Sequence, residues 1–179
     1  RLRADTGLDV LVHGVESYIN KMGNRFTSTL AMKAIQTVFQ FLEKSHKEGD
    51  QGAMEEMHYA ATQASLAWTF SGLGIAHSIG HSIGAVFHIP HGQACGIALP
   101  YAIEYSAKAC KPRYLEILQG LQVAGSTLEN STQKLSSVVK ELMTKIQEPT
   151  TVKGLGIDEA KFKEKIPTLT SFAASDLNT

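Results

Sequence analysis

Disulfides, a net charge and long apolar runs are all missing from this chain, and each absence removes a class of function. Two cysteines, Cys95 and Cys110, in 179 residues are too few for a disulfide framework, which points to a reducing, cytoplasmic setting. The 17 Lys and Arg balance 17 Asp and Glu. That balance leaves no electrostatic footprint of the kind that follows a nucleic-acid backbone or an anionic membrane surface. No uninterrupted stretch of about 20 apolar residues, as a membrane span requires, occurs anywhere, and no signal-peptide pattern opens the chain. Residue 1 is Arg rather than Met, so the chain reads as a processed or excised piece of something longer. Its length suits one domain with a substantial core, residues 1–179.

The most informative absence is local. From Met57 to Ile103, 47 residues pass without one Asp, Glu, Lys or Arg, where about nine are expected of a chain that is 19% charged overall. Gln63, Ser65, Thr69, Ser71 and several histidines interrupt this stretch, so it is no membrane span. Five of the seven histidines lie inside it. The expectation is the dry interior of a pocket whose working charge comes from a bound ion.

What is present is helical periodicity, with no convincing alternating strand pattern. Phe26, Leu30, Ile35, Val38, Phe39 and Leu42 fall at spacings of three and four and predict an amphipathic helix over 26–47, ended by Gly49-Asp50. Met54, Met57, Ala61, Ala64 and Trp68 predict a second over 52–70, with the two methionines as core. Leu135, Val138, Val139, Leu142 and Ile146 predict a third over 131–147, leaving through Pro149 and the turn at Gly154-Leu155-Gly156. Residues 74–85, rich in Gly and Ala, read as a central helix buried on most sides and broken by Pro90. Another helix starts near Pro90-His91-Gly92 and runs through Ile97 to Tyr105, disturbed at Pro100. The fold class is therefore all-α.

Asp9 and His13 lie four residues apart, as do His77 and His81. On a helix that spacing leaves two side chains roughly 40° apart and about 6 Å along the axis, the way one helix offers two ligands to one ion. His91 follows just past Pro90. One carboxylate and up to four imidazoles suit a divalent transition metal, Fe²⁺ or Zn²⁺, better than Ca²⁺ or Mg²⁺. Imidazoles buried away from counter-charges are expected to be neutral, the form that binds metal. His88 is at most an outer donor, His58 a surface or packing residue, and His46 solvated. Gly72-Leu-Gly74 is not a dinucleotide fingerprint, because no glycine stands at 77 and no strand precedes it.

The run from Gly72 to Gly92, Gly-Leu-Gly-Ile-Ala-His-Ser-Ile-Gly-His-Ser-Ile-Gly-Ala-Val-Phe-His-Ile-Pro-His-Gly, closely resembles the iron-containing (group III) alcohol dehydrogenase family. Thr6-Gly-x-Asp9-x-x-x-His13-x-x-Glu16 is similar to that family's earlier metal motif. The resemblance implies the helical-bundle C-terminal domain of a two-domain fold whose N-terminal α/β nucleotide-binding domain is absent here. It implies Asp9, His13, His77 and His91 as ligands of Fe²⁺ or Zn²⁺, whereas spacing alone favours His81 as the partner of His77. It places His81 beside the nicotinamide and the substrate, in a proton relay. The implied activity is hydride transfer between NAD or NADP and an alcohol or aldehyde, in a dimer or larger assembly. The isolated chain is expected to be inactive. Alternatives are a glycerol-dehydrogenase-like or dehydroquinate-synthase-like zinc enzyme, or a helical metal-binding module without catalysis.

Overall fold

The computed structural model describes residues 2–178. Within them the chain forms eight α-helices, with no strand among the described residues: α1 (Leu2–Ile19), α2 (Arg25–Lys47), α3 (Gln51–Ser71), α4 (Ile75–Phe87), α5 (His91–Tyr105), α6 (Ala107–Gly120), α7 (Ser131–Lys145) and α8 (Glu159–Ser175). A 3₁₀ turn, Val152–Leu155, precedes α8.

The helix starts are written in short polar side chains. Asn24 accepts from the backbone N–H of Phe26 and Thr27, and the Thr27 hydroxyl accepts from the Asn24 N–H, which closes a capping box at α2. Asp50 caps α3 through Ala53 N–H at 2.8 Å, so the Gly49-Asp50 stop of one helix is also the start of the next. Asp158 caps α8 in the same way. Pro90 precedes α5, and His88 ends α4 in the left-handed conformation, with φ 55° and ψ 40°.

The helix at the centre is α1. Ala4, Leu8, Leu11, Val12 and Val15 have no exposed surface, and α1 packs against α2, α3 and α5 and touches α4 and α6. This corrects the assignment of the central position to residues 74–85. Residues 75–85 are buried on most sides, as expected, with Ala76, His77, Ser78, Gly80, Ser82 and Ile83 inside and a narrow strip at His81 and Ala85 exposed, but α4 packs mainly on α5 and α8 rather than at the centre. The small residues serve close approach. A Cβ at Gly80 would overlap the Cys95 sulfur and backbone, and one at Gly92 would collide with the Asp5 carbonyl. Glycine thus brings α5 against both α4 and α1.

Two further expectations change. The helix expected to 147 ends at Lys145, with Gln147 at φ 61°. Pro100 does not disturb α5, which runs through it to Tyr105; the proline leaves out one N–H and the helix continues on either side.

The 47 residues without charge are not a single dry interior. From Gly92 to Pro100 every residue is buried, but the outer face of α3 leaves Tyr59, Leu66 and Phe70 exposed by 58, 45 and 61%. Helical periodicity divides such a stretch between core and surface whatever its charge. Apolar grooves border the helices on either side of this stretch. One of 720 Å³ runs between Ile19 of α1, Leu73 in the α3–α4 link, and Leu99 and Tyr105 of α5. No described helix is long and apolar enough to cross a membrane.

Candidate metal centre

Three helices bring the candidate residues together. Asp9 and His13 stand on α1, His77 and His81 on α4, and His91 is the first residue of α5. Their common reference is the Asp9 carboxylate. His91 Nε2 lies 3.2 Å from Asp9 Oδ1 and His77 Nε2 lies 3.7 Å from the same oxygen. His13 Nδ1 lies 3.5 Å from the other oxygen, Oδ2. The His13 and His77 rings are 4.5 Å apart between centroids. The structure therefore gathers Asp9, His13, His77 and His91 in one place.

Glu16 fixes the most deeply buried member. Its side chain is 3% exposed and accepts the backbone N–H groups of Gly74 at 3.0 Å and Ala76 at 2.6 Å. A carboxylate from α1 thus occupies the positive end of α4, where Gly74 has no side chain of its own to cap it. Glu16 Oε2 also lies 2.6 Å from His77 Nδ1. Since a carboxylate accepts, Nδ1 carries the proton and donates, and Nε2 keeps its lone pair. The His77 side chain is 1% exposed, and neither its Nε2 nor Asp9 Oδ1 has a hydrogen-bond partner. Two such atoms facing one another across 3.7 Å, in a protein interior that normally pairs its polar groups, are what a cation would satisfy. The donors are nitrogen and oxygen, in keeping with Fe²⁺ or Zn²⁺.

The electrostatics differ from residue to residue. Burial pushes the Asp9 carboxyl up, but its contact with His91 and the charges of His13, His91 and His77 together hold it below the usual carboxylate range. Burial pushes His13 down, with Asp9 opposing. His91 goes the other way. It is half-exposed, and its contact with Asp9 raises it above an ordinary histidine despite partial burial. The expectation that desolvation holds the imidazoles of the charge-free stretch neutral is reversed at His91, because Asp9 favours the charged form there.

His81 is turned outward. Its side chain is 41% exposed, and Nδ1 lies 2.7 Å from Asp176 Oδ2, just beyond the end of α8. Its ring stacks on His91 at 5.2 Å. His88 is exposed at the α4 C-terminus and His58 is exposed on α3, so neither enters the cluster. His46 is half-buried rather than solvated. Gly72 (φ 78°) ends α3 and Gly74 begins α4, which makes Gly72-Leu-Gly74 a helix-to-helix link.

Three residues of the centre carried no assigned role in the sequence. Glu16 lies seven residues after Asp9 and so on the same face of α1. Cys95 lies four after His91 on α5, and its Sγ is 3.8 Å from both nitrogens of that ring. Burial first, and then the charges of Asp9, Glu16 and Asp176, push its thiol well above the ordinary range. Asp176 is 95 residues from His81, and no local pattern announces it.

Residues 3–179 match the model of the Fe-containing alcohol dehydrogenase family, C-terminal. The chain is 44% identical over its whole length to an NADPH-dependent butanol dehydrogenase of Clostridium saccharobutylicum, of which it covers 46%. The iron-containing alcohol dehydrogenase of Thermococcus thioreducens superposes with a TM-score of 0.87 at 35% identity, over 98% of this chain and 44% of that one. The sulfoacetaldehyde reductase of Bifidobacterium kashiwanohense, solved with NAD⁺, superposes with a TM-score of 0.83 at 26% identity, over 98% and 44%. The chain thus spans just under half the length of these relatives. An all-helical fold and an Asp/His cluster on α1, α4 and α5 lead to the same conclusion as the comparisons: the chain belongs to the Fe-containing alcohol dehydrogenase family.

Proposed function

We propose that this chain is the metal-binding half of an oxidoreductase that moves a hydride between NAD or NADP and an alcohol or aldehyde, and that Asp9, His13, His77 and His91 hold Fe²⁺ or Zn²⁺. The observation that carries the reading is the buried His77 Nε2, which has no hydrogen bond, facing an Asp9 Oδ1 that His91 Nε2 also approaches to 3.2 Å, with His13 beside them. Family membership supports it, as does the match to a butanol dehydrogenase named for its use of NADPH.

A divalent cation bound there supplies Lewis-acid polarisation of the substrate oxygen. The chain's own residues do the rest of the positioning. Asp9 contributes the anionic donor from the centre of the bundle, where the packed core of α1 fixes its backbone. Glu16 holds the His77 ring in the Nδ1–H tautomer and so presents Nε2. His81, half-exposed and hydrogen-bonded to Asp176 through Nδ1, keeps Nε2 available to exchange a proton at the open edge of the site. The nicotinamide nucleotide belongs to a further domain outside these 179 residues.

Metal content after reconstitution of the purified chain tests the assignment. The unsubstituted chain takes up one Fe²⁺ or Zn²⁺, and His77→Ala loses it. A folded His77→Ala variant with full stoichiometric metal would overturn the site.

A further inference from the structure

A second group of donors overlaps the four ligands named above. Asp9, His77, His91 and Cys95 each offer one ligand atom such that all four lie within 4.8 Å of one another, and His13 is not in that group. The reason is the orientation of Asp9. Its Oδ1 is the oxygen near Nε2 of His77 and of His91, while Oδ2 is the oxygen near His13. Cys95 sits one helical turn after His91, and its sulfur is held against that ring because Gly80 of α4 lets the two helices meet there. A buried cysteine by itself is ordinary packing. This one borders the buried His77 Nε2, which has no partner.

We propose that the centre carries two overlapping donor sets sharing Asp9, His77 and His91, and that Cys95 replaces His13 when the ion is a thiophilic divalent cation such as Cd²⁺. A thiolate is the softest donor within reach, and donor softness is what sorts divalent metals whose charges are equal. Forming the sulfur–metal bond releases the Sγ–H proton to solvent, so no oxidant or reductant takes part. The inference rests on the metal-site reading above and extends it from one ligand set to two.

Cd²⁺ titrated into the reduced, metal-free 179-residue chain tests it by ultraviolet thiolate-to-metal charge transfer and by bound stoichiometry. The expected result is one Cd²⁺ per chain with a charge-transfer band that saturates at one equivalent. The band persists in Cys110→Ser, which leaves Cys95 as the only thiol, and it disappears in Cys95→Ser. His13→Ala keeps both the band and the Cd²⁺, while its Fe²⁺ affinity falls by about tenfold or more. One Cd²⁺ bound without a band overturns the role of Cys95 and leaves the Asp9/His77 site standing. A band lost in Cys110→Ser, or retained in Cys95→Ser, overturns it as well. Failure of the unsubstituted chain to bind Cd²⁺, Fe²⁺ or Zn²⁺ overturns the metal site itself.

Discussion

Glu16 decides which nitrogen of His77 is free, and it does so with a carboxylate that is already committed to two backbone N–H groups of α4. Glutamine has nearly the same shape but only one accepting oxygen, so in Glu16→Gln an amide N–H₂ must face a donor. The expected result is a folded protein whose metal affinity falls by about 10- to 100-fold, the range typical for losing a carboxylate behind a metal-bound histidine. Competition titration against a chelator measures it, and unchanged affinity would show that His77 is oriented by packing alone. At this scale the sequence was readable where spacing is local. Asp9 and His13, and His77 and His81, stood out because residues four apart share a helix face. His91 and Cys95 obey the same rule, but a buried thiol has so many ordinary uses that its spacing carried no weight. What spacing did not separate was ligand from neighbour. His81 shares a face with His77, yet its Nδ1 is drawn 2.7 Å from Asp176, a residue that only the path of α8 brings there.

At the scale of elements, the site depends on how closely α5 lies against α1, and that distance is set at Gly92. A methyl group there meets the Asp5 carbonyl and lies 3.1 Å from the Asp9 Cβ. Both contacts are with rigid parts of α1, so relief must come from moving α5. Gly92→Ala is therefore expected to cost about 1–3 kcal/mol, as overpacking does elsewhere, and to displace His91, the adjacent residue, from Asp9. Thermal or denaturant unfolding measures the first effect and metal binding the second; a variant as stable as the parent, with undiminished metal affinity, would mean the helices have room to spare. Helices α2, α3 and α7 were legible because each has one apolar face and a capped or turn-marked end. The stretch that became α6 gave no such signal, and α8, though capped by Asp158, lacks a broad buried face. In α8, Leu169 is the one buried residue, and it packs mainly on α4. The central place of α1 was hidden for the opposite reason: a helix buried on nearly every side shows no amphipathic contrast.

For the whole molecule, the decisive contrast is between the inner and outer halves of the centre. The His77 side chain is 1% exposed, but those of His81 and His91 are 41 and 48% exposed, so the fold closes over one side of the cluster and leaves the other open to water. Hydride transfer requires a site from which water is excluded and a nicotinamide held against the reacting carbon. The charge-free residues divide between the α4–α5 core, the outer face of α3 and the wall of the 720 Å³ groove, where Leu73, Ile75, Leu99 and Ile103 lie beside Glu16. On the function proposed above, the missing wall comes from the nucleotide-binding part of the protein. It follows that the 179-residue chain, loaded with Fe²⁺ or Zn²⁺ and given NAD⁺ or NADP⁺ with ethanol or butanol, binds its metal at one per chain and produces no reduced nucleotide. Joining it to the nucleotide-binding half restores turnover, and His81→Ala in that complete protein lowers kcat while leaving metal content unchanged. Nucleotide reduction by the chain alone would show that the open side closes by some other means and that these helices hold more of the active site than their exposure allows.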